Sequence, residues 1–219
     1  MKELADGLWQ LRGFPPNAIN VYLAGGVLID SGSRHAARRI LSQVKGQSVT
    51  AHALTHSHPD HDGSSKEVCD RLQIPLWVGE ADVGPMENGR PVPDHPMPKL
   101  SARAFGGPRR AVDRALREGD EVGGFTVLET PGHTEGHVAY WRESDRALIL
   151  GDVLFGLNVA TGLRSLREPP DFFTDNAAQN RDSARKLAAL EPALVCFGHG
   201  PPLRDTKKLT DFVAGLARD

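Results

Sequence analysis

The chain is 219 residues long, within the range of one large α/β domain, and its 39% of hydrophobic residues can fill a sizeable core. A net charge of −2 supplies no field for nucleic acid or an anionic membrane surface, so neither is an expected partner. No apolar run approaches the roughly 18 residues of a membrane span, and Met1 to Asp6 does not read as a signal peptide. The two cysteines, Cys69 and Cys196, both fall on apolar faces and read as buried free thiols, which suits the reducing cytoplasm.

The first third reads as strands joined by tight turns. Leu8 to Leu11 alternates, Pro15-Pro16-Asn17 breaks the chain, and two strands, 20–24 and 27–30, flank the hairpin signal Gly25-Gly26. Ser33 is placed to cap a helix with Ala37, Ile40, Leu41 and Val44 on one face. Val49 to Leu54 is the next strand, and His52 inside it reads as a packed strand residue. That strand runs into Thr55-His56-Ser57-His58-Pro59-Asp60-His61-Asp62-Gly63, which puts three imidazoles and a carboxylate into six consecutive positions. A helix with Val68, Cys69 and Leu72 on one face follows. In an extended segment His56 and His58 point to one side and can reach one ion, while Asp60 and His61, after the turn, can serve a second. Neutral imidazole with carboxylate suits zinc, with iron and manganese as competitors.

After a short strand at 75–78, five prolines fall in the fifteen residues from Gly84 to Pro98. That density excludes a helix or inner strand and points to a long loop, a possible substrate lid, carrying Met86 and His95. The second half repeats the logic of the first. A strand over 125–130 ends at Pro131-Gly132-His133, strands at 138–141 and 147–150 lead to Gly151-Asp152, and residues 157–173 have no clear period and read as a loop. A helix over about 176–190, a strand at 194–197 ending in His199, and an amphipathic helix with Leu209, Phe212, Val213 and Leu216 complete the chain. No linker or charge run divides residues 1–219, which read as a single domain. No Gly-x-Ser-x-Gly elbow is present to support a serine nucleophile.

His56-x-His58-x-Asp60-His61 resembles the signature of the metallo-β-lactamase-fold hydrolases. The remaining segments of that family follow in order: Pro131-Gly132-His133-Thr134, Leu150-Gly151-Asp152 and Gly198-His199-Gly200. The Gly-His-Thr-x-Gly-His form at 132–137, with Asn20-Val21-Tyr22-Leu23, is most similar to the hydroxyacylglutathione hydrolase-like branch. The long C-terminal helical region of those enzymes has no counterpart in the roughly twenty residues after His199.

The resemblance implies an α/β (α+β) fold, a four-layer αββα sandwich with metals at one edge. It assigns one ion to His56, His58 and His133, a second to Asp60, His61 and His199, and makes Asp152 the bridge. Asp60 and Asp152 are the implied catalytic carboxylates, and Asp30 matches the family's Asp that braces a ligand; His137, four after His133, reads as support or packing rather than a ligand, and Asp62 as support or a loop carboxylate. The implied cofactor is two Zn2+, with Fe or Mn possible. Seven ligands for two ions leave positions open for water, whose pKa then falls to about 7. The expected activity is hydrolysis of a thioester, lactone or other ester of a small molecule, with selectivity in 84–98 and 157–173. A mononuclear iron enzyme similar to the persulfide dioxygenases is the alternative, and a non-catalytic metal-binding module is a third. Tyr22 and Tyr140, the sole tyrosines, receive no role from sequence.

Overall fold

Turn chemistry and alternation build the first sheet in the computed structural model, which describes residues 1–217. Strands β1 (Lys2–Ala5), β2 (Leu8–Gln10), β3 (Tyr22–Ala24) and β4 (Val27–Ile29) pair antiparallel in sequence order. The β3–β4 hairpin turns at Gly25 and Gly26, with φ of +51° and +84°. A tight turn that matches strand twist needs both angles positive, and two glycines supply them without a Cβ clash. Beyond β4 the strands turn parallel: β5 (Ala51–Ala53), β6 (Leu76–Gly79) and β7 (Arg114–Leu116). Parallel neighbours need crossovers, and helices provide them. α1 (Ala37–Gln43) precedes β5, α2 (Pro59–Asp62) and α3 (Ser65–Leu72) precede β6, and α4 (Val83–Asn88) and α5 (Pro96–Phe105) precede β7.

The second sheet is an antiparallel run of β8 (Glu121–Val122), β9 (Phe125–Glu129), β10 (Val138–Arg142) and β11 (Ala147–Gly151). A separate hairpin, β12 (Phe155–Leu157) and β13 (Arg164–Arg167), and helix α6 (Ala177–Ala188) follow. β14 (Leu194–Phe197) then joins β11 in parallel, and α7 (Lys207–Ala214) closes the chain.

The two sheets bury their inner faces against each other. Tyr22, Ile29 and Ala53 of the first meet Phe125, Tyr140 and Ile149 of the second. On the outside, Leu28 packs with Ile40 of α1 and Val68 of α3, while Leu148 and Val195 pack with Leu187 of α6 and Val213 of α7. This is the expected αββα sandwich, and each large apolar side chain so buried stabilises it by about 1.5–3 kcal/mol. Among the described residues no helix is long and apolar enough to cross a membrane. Cys69 and Cys196 are buried and free, as expected.

Three local expectations are corrected. Residues 84–98 are not one loop: α4 and α5 occupy much of the stretch. Pro85, Pro96 and Pro98 fall in the first turns of these helices, where the missing N–H has no intrahelical partner to lose. Residues 157–173 likewise hold the β12–β13 hairpin and a 3-10 turn, Asp171–Phe173, rather than loop throughout. Ser33 does not cap α1, which starts after Ala36 without a side-chain cap; the Ser33 carbonyl instead accepts from Ser64 Oγ at 2.6 Å.

His52 packs as expected inside β5. One ring nitrogen meets the Leu28 carbonyl at 3.0 Å and the other Ser65 Oγ at 2.9 Å. Burial pushes its pKa down from 6.5 to about 4. The unfolded chain therefore binds this proton at a higher pH than the folded one, so stability is full above about pH 6.5 and falls as pH drops toward 4. The loss attributable to His52 is about 3 kcal/mol. Urea titrations from pH 7 to 4 should show that slope reduced in His52→Gln; an unchanged slope would assign acid sensitivity elsewhere.

Candidate metal centre

Parallel strands end at a common edge, and this chain places its chemistry there. His56 and His58 follow β5, Asp152 follows β11, and His199 follows β14; His133 follows the antiparallel β9 at the same edge. Asp60 and His61 ride on α2, a single turn that starts at His58 with Pro59 in its first position. The seven residues predicted from sequence come together into three groups whose ligating atoms lie within 4.8 Å of one another. These groups are His56, His58 and His133; Asp60, His61 and His199; and Asp152 with His56 and His61.

Asp152 is central to the arrangement. Its Oδ2 lies 3.8 Å from His56 Nε2 and 3.6 Å from His133 Nε2, and also 3.3 Å from His61 Nε2 and 3.2 Å from His199 Nε2. One carboxylate oxygen thus faces the ring nitrogens of both histidine sets. Ligands at zinc–nitrogen distances of about 2.0–2.1 Å in a tetrahedron stand about 3.4 Å apart, so this spacing fits a shared cation. Two buried atoms here, His56 Nε2 and Asp152 Oδ1, have no hydrogen-bond partner, which suits atoms reserved for a cation.

The outer shell of hydrogen bonds aims the rings. His56 Nδ1 pairs with Thr55 Oγ1 at 3.0 Å, and that hydroxyl donates to Asp30 Oδ2 at 2.9 Å. His61 Nδ1 donates to the same Asp30 carboxylate at 2.9 Å. His133 Nδ1 meets Thr174 Oγ1 at 3.3 Å, and His199 Nδ1 donates to the Ala18 carbonyl. Four rings therefore have Nδ1 engaged from behind and turn Nε2 inward, where its lone pair would be free for a cation once any second proton has left. His58 is the exception and presents Nδ1, 3.0 Å from His133 Nε2.

Without an ion the electrostatics divide the cluster. Burial pushes His58 down to about 3, and it also drives His56 and His133 far below the usual imidazole range, with neighbouring imidazoles adding to the effect. Burial works the same way on His61 and His199, but it is outweighed by Asp152 and Asp30 together at His61 and by Asp152 and Asp60 together at His199, which rises to about 10. Burial likewise opposes ionisation of Asp152 and Asp60, yet Asp152 is held below the carboxylate range by His199 and His61, and Asp60 by its bond to His199. Protons on His61 and His199 thus supply the positive charge a cation would replace.

Of the bracing candidates, Asp30 acts on His56 and His61 as described. His137 belongs to no ligand group; its Nε2 accepts the backbone N–H of Asp152 at 3.1 Å and its Nδ1 pairs with Thr130 Oγ1 at 2.8 Å, so it positions Asp152. Asp62 lines a neighbouring cavity instead of the centre, and burial with Asp60 nearby raises it to about 7. Tyr22 and Tyr140 stay out of the centre: their hydroxyls donate to the Phe197 and Leu54 carbonyls and pin the strand ends that carry His199 and His56. His95 caps α5 by accepting from Met97 N, and its ring stacks on Phe172.

Asp82 is the residue that sequence reasoning missed. It is fully buried, and its carboxylate accepts from Ser57 N and Thr134 Oγ1, both at 2.8 Å, and from Gly136 N at 3.3 Å. It therefore ties the loop of His56 and His58 to that of His133. Its signal was an acid just past the end of a strand, β6, the same cue that marks Asp30 and Asp152.

Gly198 allows the closest approach in the centre. A Cβ there would lie 2.0 Å from Asp152 Oδ1 and 2.7 Å from His61 Cε1. Gly198→Ala should displace the Asp152 carboxylate and weaken metal binding roughly 10–100-fold, the usual scale for disturbing a ligand's support. Chelator competition measures this, and unchanged affinity would show that the close approach is dispensable.

A four-layer sandwich with this His/Asp cluster at its strand ends defines a metal-binding αββα protein. The chain belongs to the metallo-beta-lactamase superfamily, whose family model matches residues 14–199. It is 30% identical to the probable metallo-hydrolase YflN of Bacillus subtilis over 205 residues, covering 81% of this chain and 76% of that one. It is 34% identical over 153 residues to a hydroxyacylglutathione hydrolase of Bdellovibrio bacteriovorus, covering 68% of this chain but 48% of that enzyme. In structure it is similar to the BLEG-1 B3 metallo-beta-lactamase, with a TM-score of 0.71, 26% identity, and coverage of 95% of this chain and 100% of that one. These relatives make the chain a member of a metallo-hydrolase family, and the His/Asp cluster marks a divalent-metal site.

Proposed function

We propose that this protein is a two-metal hydrolase, loaded with zinc where zinc is available, that cleaves a thioester, lactone or other ester of a small molecule. The position of Asp152 Oδ2, facing nitrogens of both histidine sets at 3.2–3.8 Å, carries this reading. His56, His58 and His133 would hold one ion, Asp60, His61 and His199 the other, and Asp152 would stand between them. Bound ions would supply Lewis-acid polarisation of the scissile carbonyl and a water of lowered pKa.

The chain's own groups do the rest. Asp30, Thr55 and His137 hold ligands in one rotamer and one tautomer, so little reorganisation accompanies reaction. A cleft of about 450 Å³ opens over the cluster, with Asp60, Asp152 and His199 in its floor and Phe155 and Phe173 in its walls. The aromatic walls exclude bulk water and orient the acyl group against that floor. Asp60 is the more exposed of the two carboxylates and stands 3.3 Å from His199, where its negative charge would help hold the second ion at the mouth of the cleft.

Metal analysis of protein purified without added metal, followed by a panel of thioesters, lactones, phosphoesters and a β-lactam, tests the reading. Two zinc, iron or manganese ions per chain with ester or thioester turnover is the expected result. A single tightly held iron with oxygen consumption on a persulfide would replace it with the dioxygenase, and a metal-loaded protein inert on the whole panel would mark a binding module.

A further inference from the structure

Seven large hydrophobic side chains stand exposed among the described residues, and five of them line the openings around the centre. Met97, Leu100, Phe105 and Val159 line the cleft directly. Phe14 and Leu163, the most exposed at 87% and 69%, sit in the two segments that also supply Ile19 and Val159 to its wall. Val92 lines the adjoining cavity, reached past His58. Exposed apolar groups scattered singly need no explanation, but a cluster ringing a reactive cleft marks a binding surface.

The two cavities differ in polarity. Apart from the centre's own residues, the cleft wall contains one hydroxyl, Ser101, and no charged or amide side chain. The adjoining cavity, about 500 Å³, has Arg90, Arg109, Asp62, Asp171 and Asp175 in its wall. Arg164 and Arg167 of β13 line neither cavity; Leu166 between them packs against the core with α6 and α7. Nothing in the cleft compensates a charged or strongly polar substrate group for lost water, whereas an alkyl chain needs no compensation.

We propose that the cleft selects an uncharged, unbranched acyl chain of medium length, which runs from the centre along α5 and covers the apolar rim. The polar leaving part then lies toward the charged cavity on the other side of His58. From Met97 to Phe105 the helix runs about 12 Å, long enough to follow such a chain. The proposal rests on the hydrolase reading above and names the acyl class it acts on.

The test uses the metal-loaded protein and thioesters of one neutral thiol, N-acetylcysteamine, from acetyl to decanoyl. Burial of each added methylene should raise kcat/KM about fourfold until the chain outgrows the rim, mainly through KM. Leu100→Asn and Val159→Asn, both at exposed positions, should each lower the decanoyl-to-acetyl ratio at least tenfold. Rates independent of chain length, or a preference for acyl groups ending in a carboxylate, would overturn the proposal while leaving the hydrolase reading intact. Calorimetric titration with the uncleavable thioether S-octyl-N-acetylcysteamine separates the two readings. Binding that weakens in Leu100→Asn supports the apolar subsite even if no ester is cleaved, and its absence alongside no cleavage removes both. A dimer that Leu100→Asn turns into a monomer, with the acyl ratio unchanged, would assign the rim to a second copy and overturn the proposal.

Discussion

Asp152→Ala is expected to lower ester hydrolysis roughly a thousandfold or more, the scale on which one preorganised electrostatic element acts, and to leave one ion where two were held. Asp152 is 2% exposed and lies at contact distance from nitrogens of both ligand sets. Two divalent cations a few ångströms apart repel strongly in a dry site, and an anion between them offsets that repulsion. With alanine, His61 and His199 also lose the charge that raises their pKa, so part of the cluster's order in the absence of metal goes too. Metal content per chain and kcat/KM should fall together. Full activity with two ions bound would show that another residue bridges and that the assignment is wrong.

Asp82→Ala is expected to cost about 3–5 kcal/mol of stability, the range for stripping a partner from a buried charged network. Asp82 is fully buried and holds two backbone N–H groups, the Thr134 hydroxyl and, at 3.4 Å, Arg90 NH1. Removing the carboxylate leaves those donors buried without an acceptor, each at about 1–3 kcal/mol. Because the donors belong to the loops of His58 and His133, the first ligand set should loosen before the second. Denaturant melts with and without zinc measure both effects. A loss under 1 kcal/mol with unchanged metal affinity would reduce Asp82 to a replaceable packing group. Asp82→Asn keeps the shape while exchanging one acceptor for a donor, and should fall between the two.

Much of the centre was legible because its residue types are chemically expensive to bury. Imidazoles and carboxylates concentrated just after an apolar run have few reasons to be there except a cation, so His56, His58, Asp60 and His61 could be named from the residues themselves, while His133, Asp152 and His199 were named through the family resemblance that cluster opens. Asp30 was legible only through the same resemblance. Asp82 was not, since a single acid in Gly79-Glu80-Ala81-Asp82 is indistinguishable from a surface turn until Ser57 and Thr134 are folded against it. His137 shows the same limit: its spacing from His133 suggested proximity, but only packing shows its ring nitrogen taken by the Asp152 backbone.

Proline misled where it was counted by density. Position decides its effect, and Pro85, Pro96 and Pro98 all fall where a helix begins. The hairpin within 157–173 escaped notice because β12 is only three residues long and buried throughout while β13 is exposed or half-buried throughout, so neither strand alternates between a buried and an open face.

The sequence by itself determined most of the strands and helices and the placement of the His/Asp segments just after apolar runs, while the four-layer class came with the family resemblance those segments carry. The elements follow from local periodicity and from turn residues with special dihedrals. The tertiary structure alone decided which nitrogen of each ring faces inward, that Asp30 and Asp82 brace while Asp152 faces nitrogens of both histidine sets, and that the cleft is apolar while its neighbour is charged. Those properties depend on contacts between residues 25 to more than 170 positions apart, such as Ser57 with Asp82 and Tyr22 with Phe197. Such contacts leave no mark on local spacing, because the partners meet only when the two sheets close on each other.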